Sequence, residues 1–452
     1  MDVKERKLLK QHSRDIVEDR ISKLPRNALL HILSFLTTKC VVSTSILSTK
    51  WRYLWKFVSC LHFTGTRISN QELVRKAMNS VDRVFFFRDL SNITKFILDC
   101  GISWDSARIN TWISLIVRHK LEELILNVDN YISSSYSLPP SLFLCESLTI
   151  LKIVYGGLVK LPSSISFPSL KVLELTYLEF SDGNLTENFA SCPSLKELVI
   201  KNCKWVGILS KISISNPALK RLVIDCSDGK GLNIDYLKMH APSLVFLSWV
   251  SEYFPIECNL SVMPSLASAV VLFKNFYEDK SKEEMGIAAS NLLGGISHVR
   301  SLKISAQIFS HAKDLSDHIP QFENLFKVEV DKDCSFRFTS ALLLLPRISP
   351  RLEIIVFKAK RPYYGEGEED WELDIVPQSS LLHLKKVIYS DLAGYPVELA
   401  AVKYFLENAI VLEVMCIGFY WELSDAKSKK ARVLEKLLRM RRASNRCVVS
   451  AG

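Results

Sequence analysis

The chain has 452 residues, of which 48% are hydrophobic and 23% charged, a composition typical of folded proteins rather than disordered ones. It has no run of 18 apolar residues and begins with a charged segment, so we expect neither a transmembrane helix nor a secretory signal, and an intracellular protein in the nucleus, the cytoplasm or both. Eleven cysteines without a CxxC pair favour reduced thiols, and more than half of the net charge of +10 lies in residues 421–452, which disfavours a nucleic-acid-binding body.

After a charged segment, 1–18, the first predicted structure is a helical module over residues 19–63. The sequence "LPRNALLHILSFL" (24–36) predicts a helix that is apolar on nearly every side. Two further short helices follow, one around Val41 and Val42 and one with apolar residues at helical spacing from Trp51 to Val58. Three helices in about 40 residues are too few to bury all of this apolar surface, which predicts an interface. The alternative is that the surface packs against the rest of the same chain.

A leucine-rich pattern, L-x-x-L-x-L, recurs through residues 64–360 and beyond. From Leu170 to Leu244 the steps are 25, 24 and 25 residues, the period of a leucine-rich repeat. The regular copies begin alike, as in "FPSLKVLEL" and "CPSLKELVI", where proline marks the start of a strand. We therefore predict a solenoid with a curved parallel sheet and helical or irregular returns.

Alternate residues of each predicted strand face away from the core, because side chains alternate across a strand. These residues mix charges with β-branched side chains, which suits protein recognition better than phosphate binding. An equally good reading of any one of them is that it is simply a good strand former. The predicted target-binding candidates are Glu123, Ile125, Glu174, Glu197, Val199, Arg221, Val223 and Phe246, with Val172 and Ser248 on the same face.

The last third of the chain contains three further predicted segments. An acidic loop, 361–372, reads as a solvated connection rather than paired catalytic carboxylates. A strand, a helix around "VELAAVKYFLENA" and a second strand form a βαβ unit within 373–420. The basic segment 421–452 predicts a closing helix, whose basic face could alternatively serve nuclear import or contact nucleic acid.

Motifs for catalysis or cofactor binding are missing from the sequence. There is no GxGxxG, GxxxxGK[ST], HExxH or GxSxG motif, and the nine histidines are scattered. His311 and His318 could share a helix face, but no acidic or cysteine partner accompanies them. We therefore expect a protein that is not an enzyme and has no cofactor.

Residues 19–63 resemble an F-box in the pieces "DRIS.LP", "LLHILSFL", "TK..V.TSILS" and "W..LW". Residues 376–417 resemble an FBD segment, and with the repeats between them the chain is similar to plant F-box/FBD/LRR-repeat proteins. The resemblance implies an α/β fold in which a three-helix F-box precedes a leucine-rich-repeat solenoid that ends in an FBD-like βαβ segment.

That family resemblance also implies a function. The F-box would dock on a Skp-type adaptor that joins it to a cullin and a RING subunit, while the repeats would hold a target protein for ubiquitination. By motif position the adaptor-facing or adaptor-supporting residues would be Leu24, Pro25, Leu29, Ile32, Leu33, Val42 and Trp51. Two positions depart from the family: Arg26 stands where an acid is usual, and Thr37 where proline is usual. Arg26 would cost about 0.3–1 kcal/mol at a helix N-terminus, which is compatible with docking.

Two other functions fit the same sequence. The repeats could form a protein-interaction scaffold that acts without a ligase, with the helical module only capping the solenoid. The basic segment could instead make the chain a nucleic-acid-associated protein. Copurification with a Skp-type adaptor separates the first two readings, and salt-dependent DNA binding lost on deleting 427–452 would support the third.

Overall fold

The structure of the protein is a computed structural model that divides into two compact units, Met1–Tyr131 and Ile132–Gly452. The residues that the structure describes are 21–65, 70–88, 93–100, 104–128, 138–159, 167–180, 192–205, 211–227, 235–275, 281–313, 319–332, 345–359, 381–392, 394, 396–420 and 427–451. The predicted segment 1–18 and the predicted acidic loop 361–372 lie outside them.

The first unit begins with two α-helices, α1 (Arg26–Leu33) and α2 (Thr38–Ser43). The third predicted helix is wrong: Trp51–Tyr53 form a turn and Leu54–Phe57 a single 3-10 turn. The chain becomes extended at Val58 and starts a strand at Cys60, so only one short turn fits there. The apolar spacing still identifies inward-facing residues, because Trp51, Leu54 and Val58 are buried.

Three parallel strands complete the first unit. They are β1 (Cys60–Thr64), β2 (Lys95–Cys100) and β3 (Glu123–Val128), in the order β1-β2-β3. The crossovers contain α3 (Gln71–Phe87) and α4 (Ser106–Ile116), as parallel pairing requires. Asn70 and Asp105 accept backbone N–H groups at the starts of these helices, which fixes where each helix begins.

A long parallel sheet forms the second unit and confirms the predicted solenoid. Twelve of its described strands pair in the order β4-β5-β6-β9-β11-β13-β14-β15-β16-β17-β18-β19, and β7 (Lys204–Trp205) pairs with the end of β5. The twelve are β4 (Ile150–Val159), β5 (Val172–Phe180), β6 (Glu197–Lys201), β9 (Arg221–Asp225), β11 (Phe246–Tyr253), β13 (Ser268–Asn275), β14 (Ser301–Ser305), β15 (Lys327–Lys332), β16 (Ile354–Ala359), β17 (Lys386–Leu392), β18 (Val414–Phe419) and β19 (Val448–Ala451).

The leucine pattern fixes the register of this sheet. Leu173, Leu198, Leu222 and Leu247 align across four neighbouring strands, and all four are buried. The preceding leucine of each copy is buried as well, so each repeat contributes three apolar side chains to one core. At about 25 cal/mol per Å² of buried apolar surface, this repeated burial is the main stabilising term.

The returns of the solenoid contain structure that the sequence pattern did not predict. A second parallel sheet, β12-β10-β8, consists of β8 (Lys211–Ser215), β10 (Tyr236–His240) and β12 (Glu257–Leu260). Later returns are helical, in α5 (Lys282–Gly295) and α6 (Ala306–Lys313). Helix α5 begins at a capping box in which Ser281 and Glu284 each accept the other's backbone N–H.

The predicted βαβ unit is present as β17, α7 (Pro396–Asn408) and β18. A basic helix, α8 (Lys427–Arg439), follows where the closing helix was predicted. The chain then forms β19 parallel to β18, a strand that the sequence analysis did not anticipate.

Candidate protein-docking surfaces

A small apolar core holds the N-terminal helices together. It consists of Leu29, Leu33, Val41, Trp51, Leu54 and Val58, with Leu24, Leu30 and Trp55 packed against it. Of the residues predicted to face or support an adaptor, Leu29, Leu33 and Trp51 are enclosed by their own module. They can support a docking surface but do not form it.

A second set of apolar side chains in the same module points outward. We call it the N-terminal apolar surface: Ile21, Ile32, Phe35, Leu36, Ile46, Leu47, Tyr53 and Phe57. Its most exposed members are Ile46, at 88%, and Phe35, at 74%. Of the predicted adaptor residues, Ile32 and Pro25 are exposed, while Leu24 and Val42 are half-buried. So many large exposed apolar residues in one short module are typical of an interaction site.

Polar contacts anchor this module to the strands behind it. The buried Arg88 guanidinium, just after α3, donates to the carbonyl oxygens of Trp55 and Val58. The Thr38 hydroxyl at the start of α2 accepts the His62 N–H of β1 at 2.8 Å. Trp51 Nε1 donates to Ser22 Oγ at 2.8 Å, which ties the segment before α1 to the turn after α2. These contacts hold the module in one arrangement before any partner binds.

The two positions that depart from the F-box pattern are accommodated without loss of the fold. The guanidinium of Arg26 lies over the Phe57 ring, 4.1 Å from its centroid, in a cation–π contact. Thr37 is the extended residue before α2, with φ −62° and ψ 150°, a conformation that proline also adopts. Arg26 therefore places a positive charge beside the N-terminal apolar surface rather than disturbing the core.

The second candidate surface is the open face of the sheet in the second unit. Val172, Glu197, Arg221 and Phe246 align in one row across four strands. Arg221 Nε lies 3.0 Å from Glu197 Oε1, and its guanidinium stacks over Phe246, 4.5 Å from the ring centroid. The structure thus brings three of the predicted target-binding residues, Glu197, Arg221 and Phe246, into one contiguous cluster.

The next row combines Glu174, Val199, Val223 and Ser248. Val199 and Val223, predicted as target contacts, are only 4% and 7% exposed, so they offer almost no surface. On the same face of its strand, each valine lies between two charged residues. They are structural strand formers, and this part of the prediction is corrected.

The acidic candidates already have partners within their own sheets. Glu174 pairs with Lys152 at 3.0 Å and Lys201 at 3.6 Å in the second unit. Glu123 in the first unit pairs with Lys95 at 2.7 Å, and Ile125 beside it is half-buried. Sequence analysis missed these lysines, although Lys95 and Lys152 lie at the matching register position one repeat away and Lys201 lies two residues beyond it. A ligand of the open face must compete with these pairs or bind across them.

The paired and buried side chains among the described residues do not suggest metal binding, thiol chemistry or a membrane span. Within them, no group of three or more His, Cys, Asp and Glu side chains could hold a metal ion, and the ten described cysteines form no disulfide. Burial raises the pKa of the Cys60, Cys192 and Cys447 thiols, which makes them poor nucleophiles. Within the same residues, no helix is long and apolar enough to cross a membrane.

Comparison with known proteins identifies three segments of the chain. Residues 21–63 match the F-box domain model, residues 109–277 match the model described as FBD-associated F-box protein At5g56370, LRR repeats, and residues 372–417 match FBD.

Whole-chain relatives come from Arabidopsis thaliana. The putative F-box/FBD/LRR-repeat protein At3g59240 is 31% identical, covering 90% of this chain and 85% of the relative. The FBD-associated F-box protein At4g10400 is 30% identical, covering 88% and 92%. The F-box/LRR-repeat protein At3g59200 is 28% identical, covering 96% and 88%.

Proposed function

The chain belongs to the plant F-box/FBD/LRR-repeat family, and from this we propose that it is the substrate-recognition subunit of an SCF-type cullin–RING ubiquitin ligase. In this proposal residues 21–63 dock on a Skp-type adaptor, which joins the chain to the cullin and RING subunits. The repeats bind a target protein, and the chain contributes position rather than chemistry. Its site of action would be the nucleus, the cytoplasm or both.

The N-terminal apolar surface is the observation that carries the proposal. Its residues remain exposed although the module has a closed core of its own. Burying one such side chain in an interface gains about 1.5–3 kcal/mol, so a few of them suffice for a stable complex. Arg26, at its edge, favours an adaptor that presents an acidic group there.

The cluster of Glu197, Arg221 and Phe246 supports target binding by the open face. An arginine stacked on an aromatic ring presents a flat, pre-ordered surface, and both residue types are enriched at the centres of interfaces. We therefore place the centre of target binding on this cluster, with Glu174 and its lysine partners beside it.

The double substitution Ile32→Asp with Phe35→Asp tests adaptor docking. Both side chains are exposed, so the fold should persist, while two buried carboxylates should weaken capture of a Skp-type adaptor by at least about a hundredfold. Ile287→Asp is the matched control, because Ile287 is an exposed helical isoleucine in the second unit. Capture that survives the double substitution would contradict the proposal and favour a scaffold without a ligase.

A further inference from the structure

A groove of about 550 Å³ lies along the edge of the second unit where five strands begin. It is separate from the open face, because its walls are formed by residues that precede β13 to β17 rather than by the strands themselves. Neither the family comparison nor the proposed function assigns a role to this edge. Its polar walls come mainly from His298, Arg300, Asn324, Arg351, Glu353 and His383.

Repetition of the solenoid explains why these residues converge. Arg300 N–H donates to the Ala267 carbonyl at 2.9 Å, Phe326 N–H to Arg300 at 2.9 Å, and Glu353 N–H to Phe326 at 3.0 Å. Each of these residues is thus at the same position of its repeat, about 4.8 Å from the next. His298, Asn324, Arg351 and His383 occupy the positions two residues earlier in their own repeats. The backbone ladder therefore fixes a row of side chains on each wall.

The groove has an excess of positive charge. Its one acidic side chain, Glu353, is paired with Lys385 at 2.9 Å. The hydrogen bond to Glu353 raises the pKa of the Lys385 ammonium. The two side chains therefore stay charged and paired with each other. Among the described residues neither Arg300 nor Arg351 has a carboxylate partner. Within the described part of the chain, both guanidinium groups are therefore available to an anion.

Arg300 is also pre-oriented. Its guanidinium lies over the Phe326 ring, 5.5 Å from the centroid, which restrains the side chain without using its N–H donors. Arg351 starts two repeats further along, so the backbones of the two arginines are roughly 10 Å apart, a distance that two long side chains can close around one group. A pair of arginines matches the two negative charges and several acceptor oxygens of a phosphate monoester better than the single charge of a carboxylate.

We propose that this groove binds a phosphorylated segment of a partner protein, with Arg300 and Arg351 as the phosphate-binding residues. His298 and His383 lie beside them as further donors, and the half-buried Phe326 supplies an apolar floor for the flanking chain. The site does not depend on adaptor docking, and it lies apart from the Glu197, Arg221 and Phe246 cluster on the open face. Phosphorylation of the partner would then decide whether it binds here.

Fluorescence anisotropy with the purified full-length chain alone tests this site. The ligand is a short, glycine-rich, fluorescein-labelled peptide with two phosphoserines, compared with the same peptide carrying serines or glutamates. We expect the phosphorylated peptide to bind at least about tenfold more tightly than either, and Arg300→Gln with Arg351→Gln to remove about tenfold or more of that affinity.

Arg446→Gln is the control for net charge, because Arg446 is exposed and far from the groove in sequence. Unchanged affinity in the double variant, an equal loss in Arg446→Gln, or equal binding of the glutamate peptide would each overturn the proposal. Unfolding midpoints of the variants show whether a loss reflects damage to the fold. Because no adaptor is present, failure of this experiment leaves the proposed function as it stands.

Discussion

Arg88 shows how one side chain determines the position of a docking module. It is buried, and its guanidinium donates to two carbonyl oxygens of the segment that follows α2. A charged group in this position is stable only while those acceptors are present. Because the acceptors belong to Trp55 and Val58, the N-terminal apolar surface is connected to helix α3 through this residue.

We expect Arg88→Ala to destabilise the first unit by about 2–4 kcal/mol, since it leaves two buried carbonyl groups without donors. Urea unfolding of the full-length chain measures the change. Arg83→Ala, an exposed position on the same helix, should change the free energy of unfolding by less than about 0.5 kcal/mol. Equal effects of the two substitutions would show that the carbonyl contacts have no special role.

Glu329 has a comparable role on the open face of the second unit. Burial raises the pKa of its carboxyl, but the ammonium groups of Lys303 and Lys358, 2.7 and 3.1 Å from Oε1, outweigh burial and lower the pKa below its ordinary 4.5. A lowered pKa in the folded state means that ionised Glu329 stabilises the fold above pH 4.5, and that this contribution is lost as the pH falls through the lowered pKa.

Glu329→Gln should therefore cost about 1 kcal/mol or less near pH 7, and the difference from the original chain should shrink towards zero below the folded pKa of Glu329. Thermal unfolding across this pH range measures it. Glu435→Gln, which removes an exposed ion pair within helix α8, should have little effect at any pH. A penalty that persists in acid would mean that packing, not charge, is lost.

At the scale of elements, two adjacent glycines at the end of α5 test how closely this helix packs against β12. A Cβ on Gly295, the last residue of α5, would lie 2.5 Å from the Leu260 Cβ of β12. The neighbouring Gly294 has nothing within 4 Å of the same position. The two adjacent glycines therefore differ in burial and in the space available for a methyl group.

Gly295→Ala should destabilise the second unit by about 1–3 kcal/mol, because the helix or the strand must move. Gly294→Ala should be neutral or stabilise by up to about 1 kcal/mol, since alanine favours a helix more than glycine does. Differential scanning calorimetry of the two variants separates these outcomes. Equal stabilities would show that α5 and β12 can separate slightly without cost.

Sequence analysis predicted the strands of the long sheet better than the structure between them. Leucines at fixed spacing, with proline before the most regular copies, predicted β3 to β6, β9, β11 and β14 to β18, because burial imposes this pattern on every copy. The copy "MPSLASAVV" (263–271), which forms β13, was not recognised because Ala269 replaces the usual leucine. Nothing local distinguished the 3-10 turn at Leu54–Phe57 from a helix, because both bury the same residues.

The candidate sites were predictable only in part for a related reason. Motif position identified the N-terminal module, but helical spacing cannot tell an inward leucine such as Leu29 from an outward isoleucine such as Ile32. Likewise Val199 and Val223 occupy outward positions by strand alternation yet are almost fully buried. Arg300 and Arg351 were missed because the leucine pattern specifies no residue type at either position: Arg300 follows Val299 within one copy, and Arg351 precedes Leu352 of another.

At the scale of the whole molecule, each described strand of the second unit's sheet pairs only with its neighbours in the stack. Stability in such an array is close to a sum of nearest-neighbour terms. The first unit contains a small apolar core around its N-terminal helices, together with strands β1 to β3. A local change should therefore weaken the neighbouring elements and leave distant parts of the chain unchanged.

Hydrogen exchange measured by mass spectrometry in mild urea tests this independence. Gly295→Ala should accelerate exchange in residues 257–313, and Arg88→Ala in residues 51–64, each without affecting the other region. In the double variant the two changes should add. Faster exchange in both regions after a single substitution would show that the two units unfold together.

Strand β19 affects how copies of the protein interact in solution. Among the described strands it pairs only with β18, so one side of its backbone keeps unused N–H and C=O groups, and its sequence "VVSA" carries no charge. An uncharged edge strand of this kind can pair with an extended segment of another molecule. The arginines at positions 439, 441, 442 and 446 lie just before it and repel a second copy of themselves. Concentrated salt would screen that repulsion, so purification at low ionic strength should limit aggregation of the protein.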